Sequence, residues 1–121
     1  MNPIRTVYYS EEYNEFISKL TPRIKEKYNY LAQIIETQHI VSTKFVKKLE
    51  NTEFYEARVS VGNDEYRTII FAIDSESFIE SKRVIFLNSF HKKSTKQYKN
   101  EIQKAQNILM KYRRVNNDTD R

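Results

Sequence analysis

Residues 55–73 read YEARVSVGNDEYRTIIFAI. Tyr55, Ala57, Val59 and Val61 alternate with Glu56, Arg58 and Ser60, which is the two-residue period of a half-buried strand. Gly62-Asn63-Asp64 holds the only glycine of the chain and supplies a turn. Tyr66 to Ile73 follows, apolar on both faces, and reads as a central strand. The pair predicts a β-hairpin. With Asn63-Asp64 as the two loop residues, Gly62 faces Glu65, Ser60 faces Arg67 and Arg58 faces Ile69. That register makes Arg58 and Arg67 diagonal neighbours on one face.

Outward from the hairpin, Asp74 to Glu80 is polar and loop-like, and Arg83 to Phe90 is a further strand. His91, Lys92, Lys93, Ser94, Thr95 and Lys96 lie just past its end. Tyr98, Ile102, Ala105, Ile108, Leu109 and Tyr112 then mark an amphipathic helix. Towards the N-terminus, Ile4 to Tyr9 suits a first strand with Pro3 before it. Ser10 reads as an N-cap followed by acids, and Tyr13, Phe16, Ile17 and Leu20 form one helical stripe. Thr21-Pro22 reads as a second cap and first helical position, with Ile24, Tyr28, Leu31 and Ile35 as the next stripe. His39 to Glu53 lacks clear periodicity and reads as a loop holding at most a helical turn. The order β-α-α-β-β-β-α predicts an α+β domain. Its mainly antiparallel sheet has about four strands, two N-terminal helices and a C-terminal helix. Residues 1–114 form this single domain and 115–121 a flexible tail.

The 121 residues suffice for one core. Cysteine is absent, which excludes disulfides and thiolate metal sites. Its apolar runs are too short to cross a bilayer, and acids appear before any signal-like segment, so a cytoplasmic protein with no membrane partner is expected. Net charge is +5, unevenly placed: residues 82–114 carry ten Lys or Arg against one acid, Glu101. A polyanion suits such segregation. A solvated basic helix or an acidic protein partner suits it too.

Individual residues carry paired readings. Arg58 either forms an ion pair with Glu56 on the same face or binds an anion. Arg67 sits in an apolar strand, where a fixed cation needs acceptors or a bound phosphate. His91 is either a proton donor and acceptor beside the lysines or a solvated imidazole. Tyr98, between Lys96 and Lys99, is a candidate for base stacking or proton transfer. His39 reads as a surface or capping residue. Two distant histidines give no metal-ligand spacing, and one glycine cannot make a phosphate loop, so neither metal nor cofactor is expected.

Several motifs together resemble the RelE/HigB superfamily of type II toxin–antitoxin toxins, nearest its HigB-like, phage-derived branch. They are Leu49 with Tyr55-Glu56-Ala57-Arg58-Val59, Glu65-Tyr66-Arg67-Thr68-Ile69, Phe86-Leu87-Asn88-Ser89-Phe90-His91-Lys92-Lys93-Ser94, and Glu101 with Ala105. The resemblance covers about residues 45 to 112. It implies a RelE-like fold and a metal-independent endoribonuclease that cuts mRNA on the ribosome, inhibits translation and is silenced by a cognate antitoxin, often a helix-turn-helix protein. The RNA's own 2′-OH would attack the adjacent phosphate.

By the same resemblance Arg67 holds the scissile phosphate and Arg58 supports it. Lys92 and Lys93 contact phosphate or transition-state charge. Lys96 and Lys99 are added from the basic run itself as RNA-binding residues. Tyr98 and His91 are candidates for proton transfer. At Glu56 the chain departs from the RelE branch, which can carry lysine there. Related folds include ParE-like toxins that poison gyrase without cleaving RNA. That activity, or RNA binding without cleavage, is the alternative reading.

Overall fold

The computed structural model describes residues 2–119, with side chains over residues 2–115. Ser10 separates β1 (Thr6–Tyr9) from α1 (Glu11–Ser18) and caps the helix, its hydroxyl accepting from the Tyr13 N–H at 2.9 Å and donating to the Leu87 carbonyl. Glu11 and Glu12 occupy the first turn, where acids complement the helix dipole. Thr21 and Pro22 then open α2 (Pro22–Thr37), as their order predicts. The remaining elements are β2 (Val46–Lys48), β3 (Phe54–Val61), β4 (Asp64–Ala72), β5 (Arg83–Lys92) and α3 (Gln97–Thr119). Helix α3 continues through residues 115–119 of the expected tail, and residues 120 and 121 lie outside the described residues.

The strands form one sheet in the order β1-β5-β4-β3-β2. Only β1 pairs parallel, with β5, and the other three pairings are antiparallel. Helices cover both faces. On one, Tyr13 of α1 and Tyr28, Leu31 and Ile35 of α2 pack on Ala57, Val59, Tyr66, Ile70 and Phe86. On the other, Ala105, Ile108 and Leu109 of α3 pack on Phe54, Ile69, Ile85, Leu87 and Phe90. Each large side chain buried this way stabilises the fold by about 1.5–3 kcal/mol, so both faces are well secured.

Three details differ from the expectation. The sheet has five strands, because Val46–Lys48 pairs with Tyr55–Ala57. Three residues with a single buried side chain give too few alternations to reveal a strand. Second, the hairpin turn is Gly62-Asn63, one residue earlier than expected, with Gly62 at φ 62° as the first central residue. A positive φ there fits the right-handed strand twist and favours glycine. Arg58 therefore stands directly opposite Arg67. Third, β5 runs two residues past Phe90, so His91 and Lys92 belong to the strand.

A β-bulge shifts the β4–β5 register between Ile69 and Ile70. Leu87 packs under α3, and the next residue, Asn88, also meets α3: its amide donates to the Glu101 carbonyl and carboxylate at 3.1 Å each. Arg5, unremarked in the sequence, is buried. Its guanidinium donates to six carbonyls, of Ile35, Gln38, His39, Phe78, Ile79 and Ser81, which ties β1 to the end of α2 and the 74–82 loop. Burial lowers its pKa and the charge of Asp74 opposes the shift. No helix among the described residues is long and apolar enough to cross a membrane.

Candidate functional site

Helix α3 covers only part of its sheet face. At the β3–β4 turn end the face is open, and there the ladder places Arg58 of β3 opposite Arg67 of β4, with Glu65 opposite Lys92 of β5. Arg67 is buried, its side chain 7% exposed, whereas Arg58 is 37% and Glu65 41% exposed. One oxygen of buried Glu56 lies 3.2 Å from Arg58 Nε and 3.8 Å from Arg67 Nε. Arg67 Nη1 donates to Glu65 at 3.1 Å and to the Tyr66 carbonyl at 2.9 Å. Its Nε is buried without a hydrogen-bond acceptor.

Below Arg67 the backbone is fixed by a buried hydroxyl network. Ser89 Oγ donates to the Arg67 carbonyl at 2.8 Å and lies 3.0 Å from Thr68 Oγ1 and 2.7 Å from the Tyr28 hydroxyl. Tyr98, in the first turn of α3, packs edge-on against Phe90 at 5.5 Å, with Lys92 Nζ 5.8 Å above its ring. Burial raises the Tyr98 phenol pKa; Glu56 adds to this by charge and hydrogen bond, and Arg67 opposes it. The phenol is therefore protonated at neutral pH and is a proton donor rather than a base. Glu65 is held below the usual carboxylate range, first by a hydrogen bond from Ser60, against some desolvation, and then by Arg67 and Lys92.

Of the residues singled out in the sequence, Arg58, Arg67, Lys92 and Tyr98 converge. Lys93, Lys96 and Lys99 are exposed along the turn into α3, which Gln97 organises by accepting from the Lys93 and Ser94 N–H groups at 2.5 and 2.9 Å. His91 does not join them. It lies opposite Tyr66 on the α2 face, stacked on that ring at 4.8 Å and bonded to Asp64 at 3.1 Å. Alternation along β5 sends Lys92 one way and His91 the other. Sequence reasoning took Glu56 as a partner of Arg58 alone and passed over Glu65, although spacing of two from Arg67 in a strand places it on the same face.

Chemically, three cations face two carboxylates, a surplus that suits an anion with several oxygens. Glu56 is buried and engaged by two guanidiniums, so it orients them. Glu65 is more exposed and pairs with Arg67 Nη1 from the solvent side. Among the described residues no group of three or more His, Asp or Glu is placed to hold a metal ion.

The five-stranded sheet flanked by helices is a RelE-like fold. A chain of the E. coli RelBE toxin–antitoxin complex superposes with TM-score 0.52 at 15% identity, over 74% of this chain and 99% of that one. An arginine-to-alanine double mutant of E. coli RelE in the free state superposes with TM-score 0.55 at 12% identity, over 85% of this chain and 97% of that one. The family described as "Phage derived protein Gp49-like (DUF891)" matches residues 15–110, and the chain belongs to that family. No curated protein matches the sequence.

Proposed function

We propose that this protein is a RelE-type toxin, an endoribonuclease that cuts mRNA on the ribosome, inhibits translation and is neutralised by a cognate antitoxin. The observation that carries the reading is the direct opposition of Arg58 and Arg67 across the ladder, beside Lys92 and the Tyr98 phenol. Two guanidiniums held by one buried carboxylate form a rigid fork for a phosphate. Kinship with the Gp49-like family and the RelE fold support the toxin reading.

In the reaction the 2′-oxygen bonds to the adjacent phosphorus as the P–O5′ bond breaks, leaving a cyclic phosphate and a free 5′-hydroxyl. Arg58 and Arg67 stabilise the charge that builds on the phosphorane oxygens. The Tyr98 phenol donates to the leaving oxygen or to a phosphorane oxygen. The 2′-OH proton leaves to solvent water on the exposed side of the site, since Glu56 is engaged by both guanidiniums and Glu65 is held below the usual carboxylate range. Lys92, Lys93, Lys96 and Lys99 follow the RNA backbone away from the site, and His91, on the far face, has no part in the chemistry. The domain is taken as residues 1–114, the protein as cytoplasmic, and the antitoxin as a helix-turn-helix protein.

Mapping 5′ ends on a translated mRNA tests this. Cuts that require ribosomes, fall in codon register and vanish in Arg67→Ala are expected. Intact mRNA with a stably folded, antitoxin-free protein overturns the reading.

A further inference from the structure

The cationic face continues round the sheet edge. Strand β2 covers β3 only to Ala57, after which the Arg58 N–H meets the Phe45 carbonyl at 2.9 Å. Val59 to Val61 pair with β4 on one side, and on the other they form an edge with no partner strand among the described residues. Along this edge runs a cleft of about 470 Å³, lined by Arg58, Glu65 and Arg67 from one sheet face and by Lys27, Tyr30 and Lys44 from α2 and the segment before β2. These are four cations against one carboxylate. Tyr30 is 58% exposed, the most exposed aromatic ring among the described residues.

Such a lining selects its ligand. Cations alone would serve any polyanion, but a flat, exposed ring among them offers a stacking surface as well. In a duplex the base faces are hidden, and an acidic peptide has no planar group for the ring. A single-stranded polynucleotide supplies both phosphates and free base faces. We propose that this cleft is a second nucleotide subsite. The nucleotide flanking the phosphate on Arg58 and Arg67 crosses the β3 edge, stacks its base on Tyr30 and sets its own phosphate against Lys27 and Lys44. The proposal rests on the RNA reading above and adds a base contact remote from the bond that breaks.

The test is anisotropy of a fluorescent, uncleavable 2′-O-methyl RNA oligonucleotide with the full chain, repeated with an abasic residue moved along the strand. Tyr30→Ser is expected to weaken binding about tenfold, the loss of one stacked base, and Tyr30→Phe to stay within about twofold. At one abasic position the Tyr30→Ser loss disappears. Lys27→Gln and Lys44→Gln each make the salt dependence shallower. Binding by Tyr30→Ser equal to the parent protein, or an equal loss at every abasic position, overturns the subsite. If Arg67→Gln still weakens binding in that case, the phosphate site stands without it. A protein that ignores RNA but binds poly-glutamate through Lys27 and Lys44 overturns both.

Discussion

Arg58 and Arg67 face each other directly across the β3–β4 ladder, and a single oxygen of Glu56 lies 3.2 Å from one Nε and 3.8 Å from the other. Like charges at opposed positions repel and destabilise a hairpin. The fold tolerates the pair because Glu56 is buried between them and Glu65 takes Arg67 Nη1 from the open side. The site is thus stable when empty and still one charge short of neutrality once Lys92 is counted.

Glu56→Gln removes the shared carboxylate and leaves the two guanidiniums unscreened. Breaking a buried pair costs about 3–5 kcal/mol, and the partial exposure of Arg58 reduces this to about 2–3 kcal/mol. Urea unfolding of Glu56→Gln, Arg58→Gln and the double variant measures it. The double variant should lose less than the two singles together, by about 1 kcal/mol or more. Simple additivity would mean that the carboxylate does not hold Arg58.

Glu65→Gln should strengthen anion binding. Its carboxylate pairs with Arg67 from the solvent side, so on the proposed function it competes with the phosphate. Affinity for inorganic phosphate, followed by NMR of the arginine side chains, should rise about threefold to tenfold, the effect of removing a competing charge-assisted bond. Asp64→Asn is the control: it removes the same charge one residue away, on a group bonded to His91. Equal gains in both variants would reduce the role of Glu65 to bulk electrostatics.

Much of this was legible in the residues themselves. Alternation along Tyr55–Val61 and the stripes of α1, α2 and α3 placed most elements, because each buries one face against the sheet. The hairpin register lies one residue from the expected one, since Gly62-Asn63 and Asn63-Asp64 are both good turn pairs and only the backbone φ of Gly62 decides between them. The end of β5 was equally hidden: His91 and Lys92 are polar, and β-pairing with Tyr66 and Glu65 holds them in the strand. A strand that ends at Phe90 puts His91 with the lysines, and one that continues to Lys92 sends it to the other face. Arg5 was invisible because its six acceptors are backbone carbonyls from segments distant in sequence. Nothing in the spacing of Lys27 and Tyr30 links them to the β3 edge, which only the shortness of β2 leaves open.

Arg5→Met should be among the most destabilising single changes. It keeps the bulk of the side chain but strands carbonyls of the 74–82 loop and of the α2 terminus, at about 1–3 kcal/mol for each one that water cannot reach. A loss of about 3–5 kcal/mol in urea unfolding is expected. A change below about 1 kcal/mol would show that the guanidinium is not a structural tie.

Acid should loosen the same region. Desolvation alone would raise the Asp74 pKa. The Ser81 hydroxyl and the Lys82 and Arg83 N–H groups more than offset this and hold it below the usual carboxylate value. A depressed folded pKa contributes stability above the unfolded value, about 3.9, and that stability is lost as pH falls through the folded one. Asp74→Asn should therefore be less stable than the parent at pH 7, and the gap should narrow towards pH 2. A gap that stays constant from pH 7 to pH 2 would contradict the assignment.

A double-mutant cycle on ribosome-dependent mRNA cleavage decides whether Arg58 and Arg67 act on one phosphate. Single-turnover rates are needed for the parent protein, Arg58→Gln, Arg67→Gln and the double variant, each checked for folding. Arg67→Gln should lose about a hundredfold to a thousandfold, as removal of one oxyanion donor does, and Arg58→Gln less. The double variant should be little slower than Arg67→Gln alone, because both side chains serve one bound group. Losses that multiply, or an Arg67→Gln protein that cleaves at the parent rate, would contradict it.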